Sequence, residues 1–173
     1  MNFVDLATAA AHFNAVAREL EHAPQRIVET GSQVILVAAR SMPGRYEKGW
    51  PRLKPETIAR KARGDSPLLE TGSLRDSFER SVGHHEAWIG SNNQKAIWME
   101  LGTSRGVPPR PIWGTIEQKA GPAMRRIARA EIARAFAIGR HDAHELRELL
   151  HLAKHVYDKV KQMGEALLDE GDD

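Results

Sequence analysis

Histidines near the end of the sequence are the side chains best suited to metal or proton chemistry. They share one stripe of a predicted helix with a carboxylate: His141, His144, Glu148, His151 and His155. His151 and His155 have a spacing that can hold a metal ion. Residues 151–155 lack, however, the glutamate that a zinc-protease helix places after its first histidine. The stripe also lies opposite the apolar face of that helix, which favours solvent-facing histidines over a metal site.

Other enzyme signatures are missing from the sequence. His84 and His85 lie in a predicted hairpin turn, where a polar loop is more common than a proton shuttle. There is no nucleophile elbow, phosphate-binding glycine loop or constellation of paired carboxylates. The chain has no cysteine, which excludes a disulfide framework, a thiolate zinc site and a cysteine nucleophile. We therefore predict that the protein is not an enzyme and uses no metal or cofactor.

The composition predicts a folded protein that matures in a reducing cytoplasm. The 173 residues are 41% hydrophobic and 28% charged, which suits one domain with a core and one appendage. Polar residues interrupt the first 20 positions, unlike a secretion signal. No apolar stretch is long enough to span a bilayer. We expect no contact with a membrane.

Charge is unevenly distributed although the net charge is only +2. Residues 40–63 are basic, with only Glu47 and Glu56 to offset Arg40, Arg45, Lys48, Arg52, Lys54, Arg60, Lys61 and Arg63. A second group of arginines contrasts with an acidic stretch: Arg125, Arg126, Arg129, Arg134 and Arg140 against Asp169, Glu170, Asp172 and Asp173. This asymmetry suits subunits that meet head to tail or a surface near nucleic acid. Ordinary solvated helix faces would give the same pattern.

Helical periodicity governs the first part of the chain. An amphipathic helix is predicted over residues 3–20, and a second one from Pro24 to about Arg40, because proline is accepted in a first helical turn. Glycine and prolines then break the pattern, and residues 56–62 form a short helix.

A small sheet is predicted in the middle of the chain. Residues 74–82 and 87–90 have the pattern of two strands, although a helix remains an alternative for the first. Residues 95–101 are either a helical turn or a strand. Residues 107–111 must be extended because each proline keeps its predecessor out of the helical region. Another helix begins near Thr115 or Pro122 and runs to about residue 138.

The last predicted helix has an apolar seam. Asp142 and Glu145 form a capping box at its start. Its apolar residues alternate spacings of three and four: Leu146, Leu149, Ala153, Val156, Val160, Met163 and Leu167. This heptad pattern indicates an arm of roughly 40 Å that packs against another helix, in its own domain or in a neighbouring subunit. We hypothesise that the arm, residues 139–173, braces one subunit against the next.

A series of short motifs occupies the centre of the chain in a fixed order. The motifs are residues 49–53, Thr57 with Lys61, and residues 68–77, 88–92, 96–103 and 109–111. This succession resembles the tail-completion, or virion-morphogenesis, family of tailed phages, as found in Mu-like prophages. The resemblance covers about residues 24–117. Lys95 stands where the family usually has a tyrosine, and Ile112 where phenylalanine is common.

The resemblance implies an α+β domain, residues 1–138, that forms a homo-oligomeric ring, with six copies expected. The ring would join phage connector or neck proteins to tail proteins in the virion, after synthesis in the bacterial host cytoplasm. The family-motif residues, which are also the interface candidates, are Trp50, Leu53, Thr57, Lys61, Leu69, Thr71, Gly72, Leu74, Arg75, Gly90, Glu100, Gly102, Pro109, Arg110 and Pro111. The alternative is a nucleic-acid-binding protein that uses the basic surfaces 40–63 and 125–140. In a ring, those surfaces could face DNA in the channel.

Individual motif residues have local expectations. Gly72 should supply a permissive backbone ahead of a strand, and Leu74 should enter the core. Arg75 is either a solvent-facing strand residue or half of an intersubunit ion pair. The large tryptophans should be core or interface residues: Trp50, Trp88, Trp98 and Trp113. Residues 109–111 form a stiff strut, and the resemblance favours its docking on a neighbour over a simple surface crossing.

The sequence as a whole predicts an α+β fold. A small, partly antiparallel sheet is packed with amino-terminal helices, and a long carboxyl-terminal helical arm extends from it.

Overall fold

The computed structural model describes residues 6–138 of the chain. Along these residues the elements follow in the order α1 (Leu6–Ser41), α2 (Pro55–Arg60), α3 (Ser73–Asp76), β1 (Phe78–Val82), β2 (Ala87–Ser91), α4 (Gln94–Leu101) and α5 (Trp113–Ile138). The fold is α+β, as predicted, with a two-stranded antiparallel sheet packed against the amino-terminal helix. The predicted arm, with its apolar seam and its histidine stripe, lies outside the described residues.

The two long helices, α1 and α5, pack against each other in antiparallel fashion. Arg26 of α1 pairs with Glu131 of α5 at 2.7 Å. Five residues further along α1, a Cβ added to Gly31 would overlap the side chain of Met124. Contacts therefore run in opposite sequence order on the two helices. Small buried residues line the contact and let the helix axes approach: Ala23, Gly31, Ala39, Ala123 and Ala135.

Two prolines lie inside helices: Pro24, which was expected in a first helical turn, and Pro122, which was one of two expected helix starts, the other being near Thr115. Pro24 is within α1 and Pro122 is within α5, so the predicted pair of amino-terminal helices is one helix of 36 residues. Both prolines are exposed. A proline inside a helix removes one hydrogen bond. Each helix buries apolar residues on both sides of its proline, and this packing offsets the local cost.

The predicted strand 74–82 is two elements. Gly72 has a left-handed backbone (φ 91°), and the turn after it is helical, with Asp76 N–H donating to Gly72 O at 2.9 Å. The helical alternative is therefore correct for the start of the segment, and the strand begins at Phe78. It pairs with β2 from Phe78 opposite Ser91 to Val82 opposite Ala87. Residues 95–101, for which the sequence allowed a helical turn or a strand, lie in the helix α4, and the Asn93 side chain accepts a hydrogen bond from Lys95 N–H at its start.

The core lies where the second half of α1, the hairpin, α4 and the start of α5 meet. Its largest fully buried side chains are Phe78, Met42 and Pro67. The Phe78 ring meets Trp113 edge to face at 5.3 Å, and Arg40 donates to the Phe78 carbonyl at 2.7 Å.

The tryptophans divide into two groups. Trp50 is buried in the core and Trp113 packs against it. Trp88 and Trp98 are exposed, so within the described chain they are not core residues. Between residues 6 and 138, no helix has the length and apolarity needed to cross a membrane.

Replacing Phe78 with alanine should destabilise the fold strongly. Its side chain is 0% exposed, and truncating a buried phenylalanine costs about 3–5 kcal/mol. Urea unfolding of the wild type and of Phe78→Ala measures this loss. Trp88→Ala is the matched control on the facing strand, because Trp88 is 71% exposed and surface changes stay within about 0.5 kcal/mol. Equal losses in the two variants would contradict this placement of the core.

Candidate interaction cleft

Glu100, at the end of α4, caps the first turn of α5. Its carboxylate accepts hydrogen bonds from the backbone N–H groups of Ile112 at 2.8 Å, Trp113 at 3.1 Å and Gly114 at 3.0 Å. The first N–H groups of a helix have no partner within it, and a negative charge there is favoured by the helix dipole. One side chain therefore satisfies three such donors and fixes α4 to the start of α5.

Gly102 allows the chain to turn back directly after α4. Its φ is +77°, and a Cβ at this position would lie 2.9 Å from the Val107 carbonyl oxygen and 3.1 Å from Pro109. Thr103 N–H donates to the same Val107 oxygen at 2.9 Å. Both the backbone angle and the space require glycine here. The predicted extended run, residues 107–111, contains neither helix nor strand.

Arg110 is buried within its own chain. It is 5% exposed, and its Nη2 and Nε donate to the Pro51 carbonyl at 2.8 and 3.2 Å. Burial lowers the pKa of the guanidinium, and the nearby Tyr46 opposes that shift. Its backbone N–H donates to Met99 O at 2.6 Å. The arginine of the expected docking strut is thus engaged inside the chain, and of residues 109–111 only Pro109 is exposed.

Lys61 closes the loop between α2 and α3. Its Nζ donates to the Leu69 carbonyl and to Glu70 Oε2, both at 2.7 Å. Ala62 N–H donates to the other Glu70 oxygen at 3.2 Å. The hydrogen bond from Lys61, followed by that from Ala62, holds the pKa of Glu70 below its usual value. Lys61, Leu69 and the residues between them therefore form one closed loop.

The remaining motif positions have simpler roles. Leu74 is buried, as predicted. Arg75 is exposed and pairs with the adjacent Asp76 at 2.9 Å, so this ion pair lies within the chain. At Gly90 an added Cβ would meet nothing within 4 Å, and nothing in the described structure explains a glycine there.

Seven of the fifteen motif residues line one cleft of about 770 Å³: Leu53, Thr57, Lys61, Thr71, Gly72, Leu74 and Arg110. The cleft lies between the segment around α2, the loop before α3, α4 and the turn before Arg110. Leu53 is held there because its N–H donates to the Tyr46 hydroxyl at 2.9 Å, and Tyr46 in turn donates to Asp65. The motifs thus converge in space, although they span about half of the described chain.

The cleft combines apolar walls with a basic rim. Apolar side chains line its interior: Leu53, Leu68, Leu74, Met99 and Val107. Four exposed cations stand around them: Arg52, Lys54, Arg60 and Lys95. Among the lining residues described, the sole acid is Glu70, which is paired with Lys61. The site therefore suits a ligand that carries both apolar groups and negative charge.

Two features were not found by sequence reasoning. Lys95 contributes to the rim, although the sequence marked it only as a departure from the resembled family. Glu47 is buried and its carboxylate lies 2.7 Å from Lys119 Nζ. The only signal for that pair was an acidic residue in a basic segment. His84 and His85 are exposed in the turn, and among residues 6–138 no group of three or more His, Cys, Asp or Glu side chains could hold a metal ion.

Comparison of the chain with protein-family models, with curated proteins and with solved structures gives no match. The resemblance to tail-completion proteins rests on the order of the motifs.

Glu100→Ala should lower the free energy of unfolding by about 1–3 kcal/mol, because it leaves three backbone donors of α5 without their acceptor. Glu100→Gln should lose less, since its amide oxygen can still accept. Glu117→Ala is the control and should leave the free energy of unfolding nearly unchanged, because Glu117 is an exposed residue of α5. Chemical unfolding measures all three. A neutral Glu100→Ala would contradict the capping role.

Lys61→Met should return the pKa of Glu70 toward its ordinary value, because Lys61 is the main cause of the lowered pKa. The Glu70 contribution to stability is present above the unfolded pKa and is lost as pH falls through the lower folded pKa. The stability gap between wild type and Lys61→Met should therefore narrow in acid. Carbon-detected NMR titration of Glu70 measures the pKa, with the exposed Lys48→Met as control. An unmoved pKa would contradict the pairing.

Proposed function

We propose that the protein is a structural subunit of a tailed-phage particle, a ring-forming neck or tail-completion protein that joins head and tail. The observation that carries the proposal is the connection among the motif residues. Glu100 caps α5, Gly102 accommodates Pro109, Arg110 holds Pro51 and Lys61 holds Leu69. Motifs that resemble those of tail-completion proteins thus contact one another in the fold. We expect such contacts if the order of the motifs reflects a shared fold.

Exposed apolar residues on α4 support a role in assembly. Ala96 faces the core, while Ile97, Trp98 and Leu101 are 60%, 42% and 75% exposed. These three positions share one side of the helix. Exposed apolar clusters with tryptophan are typical of protein–protein interfaces. The Glu100 cap holds α4 in place, so this face is presented in a fixed orientation to another copy of the chain or to a connector or tail protein.

The contacts of three polar motif residues support a role in binding rather than catalysis. Glu100, Arg110 and Lys61 are engaged with backbone groups of their own chain. A catalytic acid, base or nucleophile needs access to a reacting group. We therefore include non-enzymatic action in the proposal.

Nucleic-acid binding is the second candidate, and the basic rim of the cleft is the observation in its favour. The members of the basic segment differ in availability. Arg40, Arg63 and the rim residue Arg60 donate to backbone carbonyls, and Lys61 is paired with Glu70. A ring at the neck would surround the path of DNA, so both activities could belong to one protein.

Light scattering of the full chain should give a discrete species far above the chain mass of 19.3 kDa, near about 116 kDa if six copies close a ring.

Ile97→Ser combined with Leu101→Ser should raise the dissociation constant of this oligomer at least about tenfold. Ile132→Ser, on an exposed position of α5, is the matched control.

Removal of residues 140–173 should also weaken the ring if the arm braces neighbouring subunits. The proposal of self-assembly fails if the wild type stays monomeric at every protein and salt concentration. An unchanged oligomer in the truncated chain would reject the brace and leave the α4 face as the contact.

A further inference from the structure

The cleft has the size and chemistry of a peptide-binding groove. Its volume of about 770 Å³ lies within the roughly 300–1,000 Å³ that ligand pockets usually have. The walls are apolar. The cations at the rim are exposed and spread over two parts of the chain: the segment of α2 with the residues before it, which holds Arg52, Lys54 and Arg60, and α4, which holds Lys95. An extended segment lying between them would bury apolar side chains and present carboxylates to both sides.

An acidic peptide fits this arrangement better than a nucleic acid does. Duplex DNA offers phosphates on a convex backbone, and binding it through phosphates alone needs only surface cations. The apolar wall formed by Leu53, Met99 and Val107 would have no partner in that case. A polypeptide with apolar residues next to carboxylates would use both halves of the cleft.

The chain itself contains such a segment. Leu167 and Leu168 are followed by Asp169, Glu170, Gly171, Asp172 and Asp173, and no basic residue occurs after Lys161. Four carboxylates within five residues complement the exposed cations of the rim, and the two leucines complement its apolar walls. These residues lie outside the described part of the structure.

The path of α5 allows a second copy to be the source of this segment. The helix begins three residues after Arg110, which lines the cleft, and runs for 26 residues. At 1.5 Å per residue, its far end at Ile138 is roughly 38 Å from its start. That distance permits the segment to reach a neighbouring subunit, and the self-assembly proposed above supplies one. Such head-to-tail contacts form rings when the rotation between subunits closes.

We infer that the cleft of one subunit binds the acidic segment, residues 167–173, of the next subunit. The inference rests on the proposed self-assembly and adds a specific contact to it. It assigns the basic rim to carboxylates of this chain and leaves the α4 face available for a separate contact.

Three sets of substitutions in the full chain test this contact. The cleft variant carries Arg52→Gln, Lys54→Gln and Lys95→Gln, all at exposed positions. The segment variant carries Asp169→Asn, Glu170→Gln, Asp172→Asn and Asp173→Asn. The control variant removes three exposed charges of α1 and α5 instead: Arg18→Gln, Arg125→Gln and Arg129→Gln.

Sedimentation velocity measures self-association, and fluorescence anisotropy measures binding of a labelled peptide of residues 164–173 to the segment variant. In both the cleft variant and the segment variant, the dissociation constant of the oligomer should rise at least about tenfold. In the control variant it should stay within about twofold of the wild-type value. The peptide should bind the segment variant and should lose that binding when the cleft substitutions are added. An equal mixture of the cleft and segment variants should regain pairs, because each pair retains one intact cleft and one intact segment.

The outcomes separate the inference from the proposed function. A cleft variant that assembles like the wild type and a peptide that ignores the cleft substitutions would overturn the inference and leave the ring standing. A wild type that stays monomeric would contradict the proposed self-assembly. If the peptide still bound the cleft of that monomer, the contact would lie within one copy of the chain, which would contradict the inference. Loss of affinity for a labelled DNA duplex in the cleft variant, with peptide binding absent throughout, would overturn it in favour of nucleic acid.

Discussion

The carboxylate of Glu100 is the contact on which the arrangement of the cleft depends. Three backbone N–H groups at the start of α5 converge on it, and no group within the helix could accept from them. The cap fixes the end of α4 against the start of α5. The chain between these helices must then turn at once, which requires Gly102, and return past Met99, where Arg110 reaches Pro51. The capping of α5 therefore positions one wall of the cleft.

This framework separates residues that define the fold from residues that are free to bind. Glu100, Gly102 and Arg110 are engaged internally, so their types are fixed by backbone geometry and burial. Lys95 is exposed on α4, and a change there alters the charge of the rim without touching the core. Ile112 is buried in the core, where one apolar side chain can replace another with repacking. The two departures from the resembled family therefore have different consequences, one for the surface and one for packing.

Periodicity and turn chemistry were sufficient to predict the helical character of α1, α2 and α5, the second strand and the α+β class. They were insufficient at Pro24 and Pro122, because a local rule states the cost of a proline but not the burial that offsets it. They also misplaced the start of β1, since the left-handed Gly72 is compatible with either a strand or a helical turn. In the site, sequence reasoning selected Glu100 and Arg110 but not their roles. Those roles depend on partners 12 and 59 positions away, which no local pattern contains.

Charge and burial contribute differently to the proposed contact between subunits. At physiological salt the Debye length is about 8 Å, so exposed cations such as Lys54 and Lys95 act on a carboxylate chiefly at close range. Rim charges of this kind speed association and set its register, so they contribute to affinity mainly through the association rate. The remaining affinity comes from apolar burial, which the cleft offers through Leu53, Met99 and Val107. A basic rim alone would bind many anions, and an apolar groove alone would bind many peptides. In the proposed contact, their combination on a capped framework selects for segments that carry both chemistries side by side.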